Sequence, residues 1–141
     1  GLYEQGKMVP YTIIQKTNYG EQIIGMTTFM NVEHTATYNR VEIGSTWFAK
    51  SAQRNGINTI VKHMMLTHAF EEWKCIAVEF RTHRLNQQSR AAIERLGAQL
   101  DGILRAHAIS ANGTLRDTAV YSISASEWPT IKVHLGFKIR P

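Results

Sequence analysis

The stretch Gln53-Arg54-Asn55-Gly56-Ile57-Asn58 does most to limit what this chain can become. Before it, Val41-Glu42-Ile43-Gly44-Ser45-Thr46-Trp47-Phe48 reads as a strand. After it, Ile57, Ile60, Val61, Met64, Met65 and His68 recur at helical spacing, while Lys62, His63 and Thr67 point elsewhere. A strand, a short loop with a glycine and a helix start form a recipe for holding an anion. The first helical turn has backbone N–H groups without partners, and the helix dipole adds positive charge there. Gly56 lets the backbone come close to a phosphate, and Arg54 can add a screening charge. On spacing alone, a plain connecting loop fits the same segment. No Gly-Lys-Ser/Thr follows, so this is not a P-loop, and no GxGxxG marks a dinucleotide site.

With 141 residues, 43% of them apolar and 19% charged, the chain is expected to form a single domain over 1–141 with a real core. Lys and Arg outnumber Asp and Glu by 16 to 11, a net charge of +5. That excess suits an anionic ligand. No Lys/Arg run or basic stripe with interleaved aromatics accompanies it, which disfavours nucleic acid as a partner. The single cysteine, Cys75, excludes an internal disulfide and points to a reducing, cytoplasmic setting. No apolar run is long enough to span a membrane, and no signal peptide is visible.

In chain order, Leu2–Gln5 reads as the last turn of a helix and Gly6–Pro10 as a break. Tyr11–Lys16 and Gln22–Val32 form a hairpin around the turn residues Asn18 and Gly20. His34–Asn39 is a loop, Arg40–Phe48 a third strand, and Ile57–Glu72 the main helix. Cys75–Thr82 is a mostly apolar strand, as expected for one covered on both faces, and reaches its place by a right-handed crossover. Asn86 is a helix N-cap, Ser89–Leu96 the second helix and Gly97 its C-cap. Leu100–Ser110 and Leu115–Ser124 form a second hairpin. A last helix opening at Ser126-Glu127-Trp128-Pro129 carries Trp128, Ile131, Val133 and Leu135 toward the core.

The first stretch resembles the Gln/Arg-x-x-Gly-x-Gly/Ala motif of the GCN5-related N-acetyltransferases (GNAT), which cradles the pyrophosphate of acetyl-CoA. Gln53 and Gly56 match. Asn58 stands where glycine or alanine is usual, and an asparagine there can serve as a helix N-cap. Asn86-Gln87-Gln88-Ser89, with Leu96-Gly97-Ala98, resembles the Asn-x-x-Ser…Leu-Gly-Phe segment of the same family. The element order agrees as well, from the Tyr11 hairpin to the last helix. The chain is most similar to the branch with the ribosomal-protein N-terminal acetyltransferases, through Glu42-Ile43-Gly44, the Asn86/Ser89 pair, Leu96-Gly97 and Asp117–Ile123. The resemblance implies an α/β (α+β) GNAT fold: a mixed, mostly antiparallel twisted sheet with flanking helices. The family has a further strand and two helices before the Tyr11 hairpin, so the fold is expected to be N-terminally truncated. An acceptor side left open, or covered by a second copy in a homodimer, would follow.

The implied chemistry is direct transfer of acetyl from acetyl-CoA to an amine, with no metal. Amide N–H groups near Trp47, Phe48 and Ala49 would hold the pantetheine arm and the thioester oxygen. Gln53, Arg54, Asn55, Gly56, Ile57 and Asn58 would hold the pyrophosphate, and Asn86 the pantetheine. Ser89 would sit near the sulfur, whose thiolate leaves with a pKa of about 8.5. Many family members use a tyrosine further along this helix, where this chain has Ile93. Ser89 can also be read simply as a helix-start residue. The amine must lose a proton before it attacks. Glu42 is the first candidate base, if its strand turns it toward the site. The ribosomal-protein enzymes carry a glutamate in a late strand; here that region reads Arg105-Ala106-His107-Ala108, which makes His107 the second candidate. A surface histidine on a hairpin fits His107 equally. His34, His63, His68 and His83 show no metal-ligand spacing, Cys75 has no activating partner, and Tyr121 reads as core or cleft wall. A catalytically inactive CoA-binding or interaction module is the alternative function. Glu33, Glu42 and Glu79 are too few to name the acceptor, so a protein N-terminus, a small amine and an aminoglycoside stay open.

Overall fold

The computed structural model describes residues 8–53 and 56–139. The expected helical turn at Leu2–Gln5 lies outside them, as do Arg54 and Asn55. Six strands form one sheet: β1 (Met8–Thr17), β2 (Gly20–His34), β3 (Asn39–Phe48), β4 (Cys75–His83), β5 (Gln99–Ile109) and β6 (Leu115–Ser124). Their spatial order is β1-β2-β3-β4-β6-β5. Every neighbouring pair is antiparallel except β3 and β4. The first strand begins earlier than its composition suggests, and takes in Pro10. A proline is tolerated there because β1 is an edge strand with one side of its backbone unpaired.

Three helices complete the fold: α1 (Ile57–Thr67), α2 (Gln87–Arg95) and α3 (Trp128–Ile139). They lie on one face. Val41, Ile43, Val78, Phe80, Tyr121 and Ile123 alternate along their strands into a single apolar core with residues of all three helices. The inward stripe of α1 differs from the expected one. Val61, Lys62, Met65 and Leu66 are buried, while Ile60 and Met64 are 42% and 65% exposed. After Thr67 the helix widens into a π turn, His68–Glu72, which brings the consecutive Ala69 and Phe70 into the core. Phe70 stacks on Trp128 of α3 at 5.3 Å between ring centroids. On α3, Trp128, Ile131 and Leu135 are buried as expected, but Val133 faces solvent. A residue two places from Ile131 lies more than half a turn round the helix.

The opposite face of the sheet is polar. Along a single row across it lie Met30, Glu42, Glu79, Ser122 and Gln99.

Candidate active site

The parallel pairing of β3 and β4 is short. It runs from Asn39↔Cys75 to Glu42↔Glu79 and stops, although both strands continue. Beyond that point β3 stays with β2, through Gly25↔Phe48, and β4 stays with β6, through His83↔Thr118. The two central strands therefore part, and a wedge opens between Ile43–Phe48 and Phe80–His83. Each wall leads to a helix start: β3 to the N-terminus of α1, and β4 to that of α2. Two helix N-termini thus flank the carboxyl ends of the parallel strands, where open α/β sheets hold ligands. Neither helix has an acidic residue in its first turn.

The α1 end begins at Gly56, with φ 83° and no side-chain cap. A Cβ added there would meet nothing within 4 Å, so the approach to the first turn is open. This conformation is one that side chains rarely adopt. Asn58 is the second residue of the helix, and not its N-cap as its sequence position suggests. Gln53 turns back, and its Nε2 donates to the Phe48 carbonyl at 3.1 Å. The three expected amide donors do not point alike. The Ala49 N–H donates to the Ile24 carbonyl at 2.7 Å, so it is consumed by the sheet. That bond makes Gly25 and Phe48 a pair that exchanges no hydrogen bonds, which turns the Phe48 N–H away from β2 and toward the wedge. Trp47, one residue earlier, shares Ala49's orientation. Of the three, Phe48 is the donor aimed at the gap.

The α2 end is closed by its own sequence. Asn86 Oδ1 accepts from the Ser89 N–H at 3.0 Å. Asn86 is therefore a true N-cap, with its amide nitrogen as the group left for a ligand. Ser89 stands in the first turn, half-buried on the β4 side of the mouth.

Glu42 marks the apex of the wedge, in the last paired row. Its side chain lies on the polar face, 8% exposed, and Asn31 Nδ2 donates to Oε1 at 2.7 Å. Burial raises its carboxyl above the ordinary carboxylate range; the Asn31 bond works against this, and the neighbouring Glu79 adds to it. Gly44 leaves room beside Glu42: a Cβ there would collide with Met30 Sδ at 2.7 Å and touch Glu42 Oε2 at 3.5 Å. Glu79 is bound by Arg40 Nη1 at 2.5 Å and by Arg81 Nε. Asn31, Glu33, Arg40, Glu42, Glu79 and Arg81 line a polar cavity of about 300 Å³. Pattern reading did not assemble this network, because its members come from three strands and only the register unites them.

His107 is placed differently. It lies on β5, separated from the wedge by β4 and β6, and its Nδ1 is 3.0 Å from Thr118 Oγ1. Sequence order could not reveal that β6 inserts between β4 and β5. Tyr121 is fully buried, donating to Glu94 Oε2 at 2.7 Å and accepting from Arg90 Nε at 2.9 Å. Burial pushes the Cys75 thiol up to about 11, so no reactive thiolate forms. Among the described residues, no group of three His, Cys, Asp or Glu side chains could hold a metal, and no helix is long and apolar enough to cross a membrane.

Residues 2–99 match the acetyltransferase (GNAT) domain family. The chain is 32% identical over 110 residues to YdaF of Bacillus subtilis (strain 168), a protein named provisionally as a ribosomal N-acetyltransferase; the match covers 78% of this chain and 58% of YdaF. Among solved structures, a GCN5-related N-acetyltransferase from Brucella melitensis superposes with a TM-score of 0.85 at 28% identity, over 94% of this chain and 58% of that one. Mycobacterium smegmatis RimJ in complex with CoA-disulfide superposes with a TM-score of 0.78 at 28% identity, over 96% of this chain and 62% of RimJ. The chain belongs to the GNAT acetyltransferase family, in its ribosomal-protein acetyltransferase-like branch. It spans less than two thirds of the length of each of these three relatives.

Proposed function

We propose that the protein is an N-acetyltransferase that passes acetyl directly from acetyl-CoA to an amine held in the same complex. The observation that carries this reading is the parting of β3 and β4 between two helix N-termini, with a buried carboxyl at the apex. The residues present fit the cofactor. Gly56 and the first turn of α1 would take the diphosphate, with no carboxylate in that turn to repel it. The Phe48 N–H would orient the thioester carbonyl and stabilise charge developing on its oxygen. The Asn86 amide would fix the pantetheine. Acetyl-CoA supplies an activated acyl group with a good leaving thiolate, and the Ser89 hydroxyl would hydrogen-bond that sulfur.

Glu42 is the base in this reading. A raised pKa brings a carboxylate closer to the working pH, where it takes a proton from an ammonium more readily than an ordinary carboxylate does. Glu42 lines the polar cavity, so in this reading the amine approaches from the face opposite the helices. The CoA-disulfide bound by RimJ supports the cofactor assignment by similarity.

The test is an acetylation assay with acetyl-CoA against peptides bearing free N-termini, read by mass spectrometry across pH. Glu42→Gln is expected to lower kcat by about 10²–10³-fold, the usual worth of a general base. Wild-type rate should fall as pH drops through the raised carboxyl pKa, and this acid limb should vanish in the variant. An unchanged limb would remove Glu42 from the mechanism.

A further inference from the structure

Lys62 lies on the second turn of α1 with only 7% of its surface exposed. Lysines near a surface ordinarily run their stem along apolar atoms and keep the ammonium in water. This one does not. Its Nζ donates to Thr46 Oγ1 at 2.8 Å, and Thr46 Oγ1 shares a second hydrogen bond with Thr27 Oγ1 at 2.9 Å. The group it donates to, on β3, is a neutral hydroxyl, backed by a second neutral hydroxyl on β2. Among the described residues no carboxylate forms an ion pair with it. A buried ammonium without a counter-charge is costly, so a chain that keeps one has a reason for it.

Its position suggests the reason. Helical side chains lean toward the helix N-terminus, so the ammonium lies beneath the first turn of α1. There it meets Thr46, two residues before Phe48, whose carbonyl accepts from Gln53 Nε2. At Gly56, where the helix starts, a Cβ would meet nothing within 4 Å, and the buried cation lies on the next turn of the same helix.

We propose that Lys62 is the buried cation of the diphosphate site, adding from beneath the first turn of α1 to the positive charge that the helix start at Gly56 presents. This rests on the cofactor reading just given, and assigns the anion's counter-charge to a residue outside the glycine motif. The charge acts through the first turn of α1 without touching the ligand. A unit charge within about 8 Å of a phosphate, at the effective dielectric of a protein, is worth tenfold or more in affinity. In the free protein burial lowers the ammonium's pKa to about 8, so an arriving anion should draw a proton onto it.

Calorimetry with CoA at pH 8, in two buffers of different ionisation enthalpy, tests this on wild type and Lys62→Met. A parallel titration uses pantetheine, which lacks the diphosphate, followed by NMR. Lys62→Met is expected to weaken CoA by about tenfold or more and leave pantetheine unchanged. Wild type should take up a fraction of a proton on binding CoA, and the variant should not. Equal CoA affinity in both proteins overturns the assignment, as does an equal loss for both ligands, which would put the charge at the thioester end. Absent proton uptake by wild type also overturns it, whether or not the variant folds. Wild type that binds no CoA at all brings down the cofactor reading together with this one.

Discussion

Two helices begin at the mouth of the wedge, and they begin differently. At α2, Asn86 folds its side chain over the first turn and satisfies the Ser89 N–H from within the chain. At α1, Gly56 supplies no side chain, and a Cβ placed there would meet nothing within 4 Å. The first end is complete as the chain folds. In the proposed function the α2 cap serves stability, and the helix start at Gly56 serves binding.

Substitutions at each end can break this contrast. Gly56→Val should have the largest effect. A β-branched side chain at φ 83° is strained and blocks the open approach, so CoA affinity should fall about 100-fold, the worth of lost charge-assisted hydrogen bonds. Calorimetry measures it, and retained affinity would show that the α1 end is not the diphosphate site. Next comes Lys62→Met in the free protein. The unfolded chain holds the lysine proton up to its ordinary 10.5, while the fold releases it near 8. Unfolding therefore takes up a proton between those values, and wild-type stability rises with pH through that window, by up to about 3 kcal/mol. Lys62→Met should lack the rise and melt higher than wild type at pH 7. Thermal denaturation at pH 7 and pH 10 checks both. Smaller still is Asn86→Ala, expected to cost about 1 kcal/mol of stability in urea denaturation while changing CoA affinity only severalfold. A large binding loss with unchanged stability would erase the difference between the two ends.

The α1 end was legible in the sequence because its signal is local. Strand, Gln53, Gly56 and helix follow one another, and the Asn86 cap needs only three residues. The element order was legible for the same reason, since periodicity and turn residues act within short windows. What the sequence hid depends on which strand neighbours which. Glu42 stands at the apex because β3 leaves β4 one row later, and Glu79, Arg40 and Arg81 join it through register. His107 lies apart from Glu42 because β6 inserts between its strand and β4. Lys62 escaped notice because its charge placed it on the solvent side of α1. Yet Lys62, Leu66 and Ala69 recur at i, i+4 and i+7, a stripe that could have revealed it.

The early end of the β3–β4 ladder also has a mechanical meaning. The sheet consists of two three-stranded leaves, β1-β2-β3 and β4-β6-β5, each antiparallel and extensively bonded. Among the described residues, backbone bonds join the leaves only along the short seam from Asn39↔Cys75 to Glu42↔Glu79. Such a seam resembles the spine of a book, with a leaf set at an angle on either side. Whatever lies in the wedge spans that angle, so a bound cofactor would stitch the leaves together and set how wide the acceptor finds them.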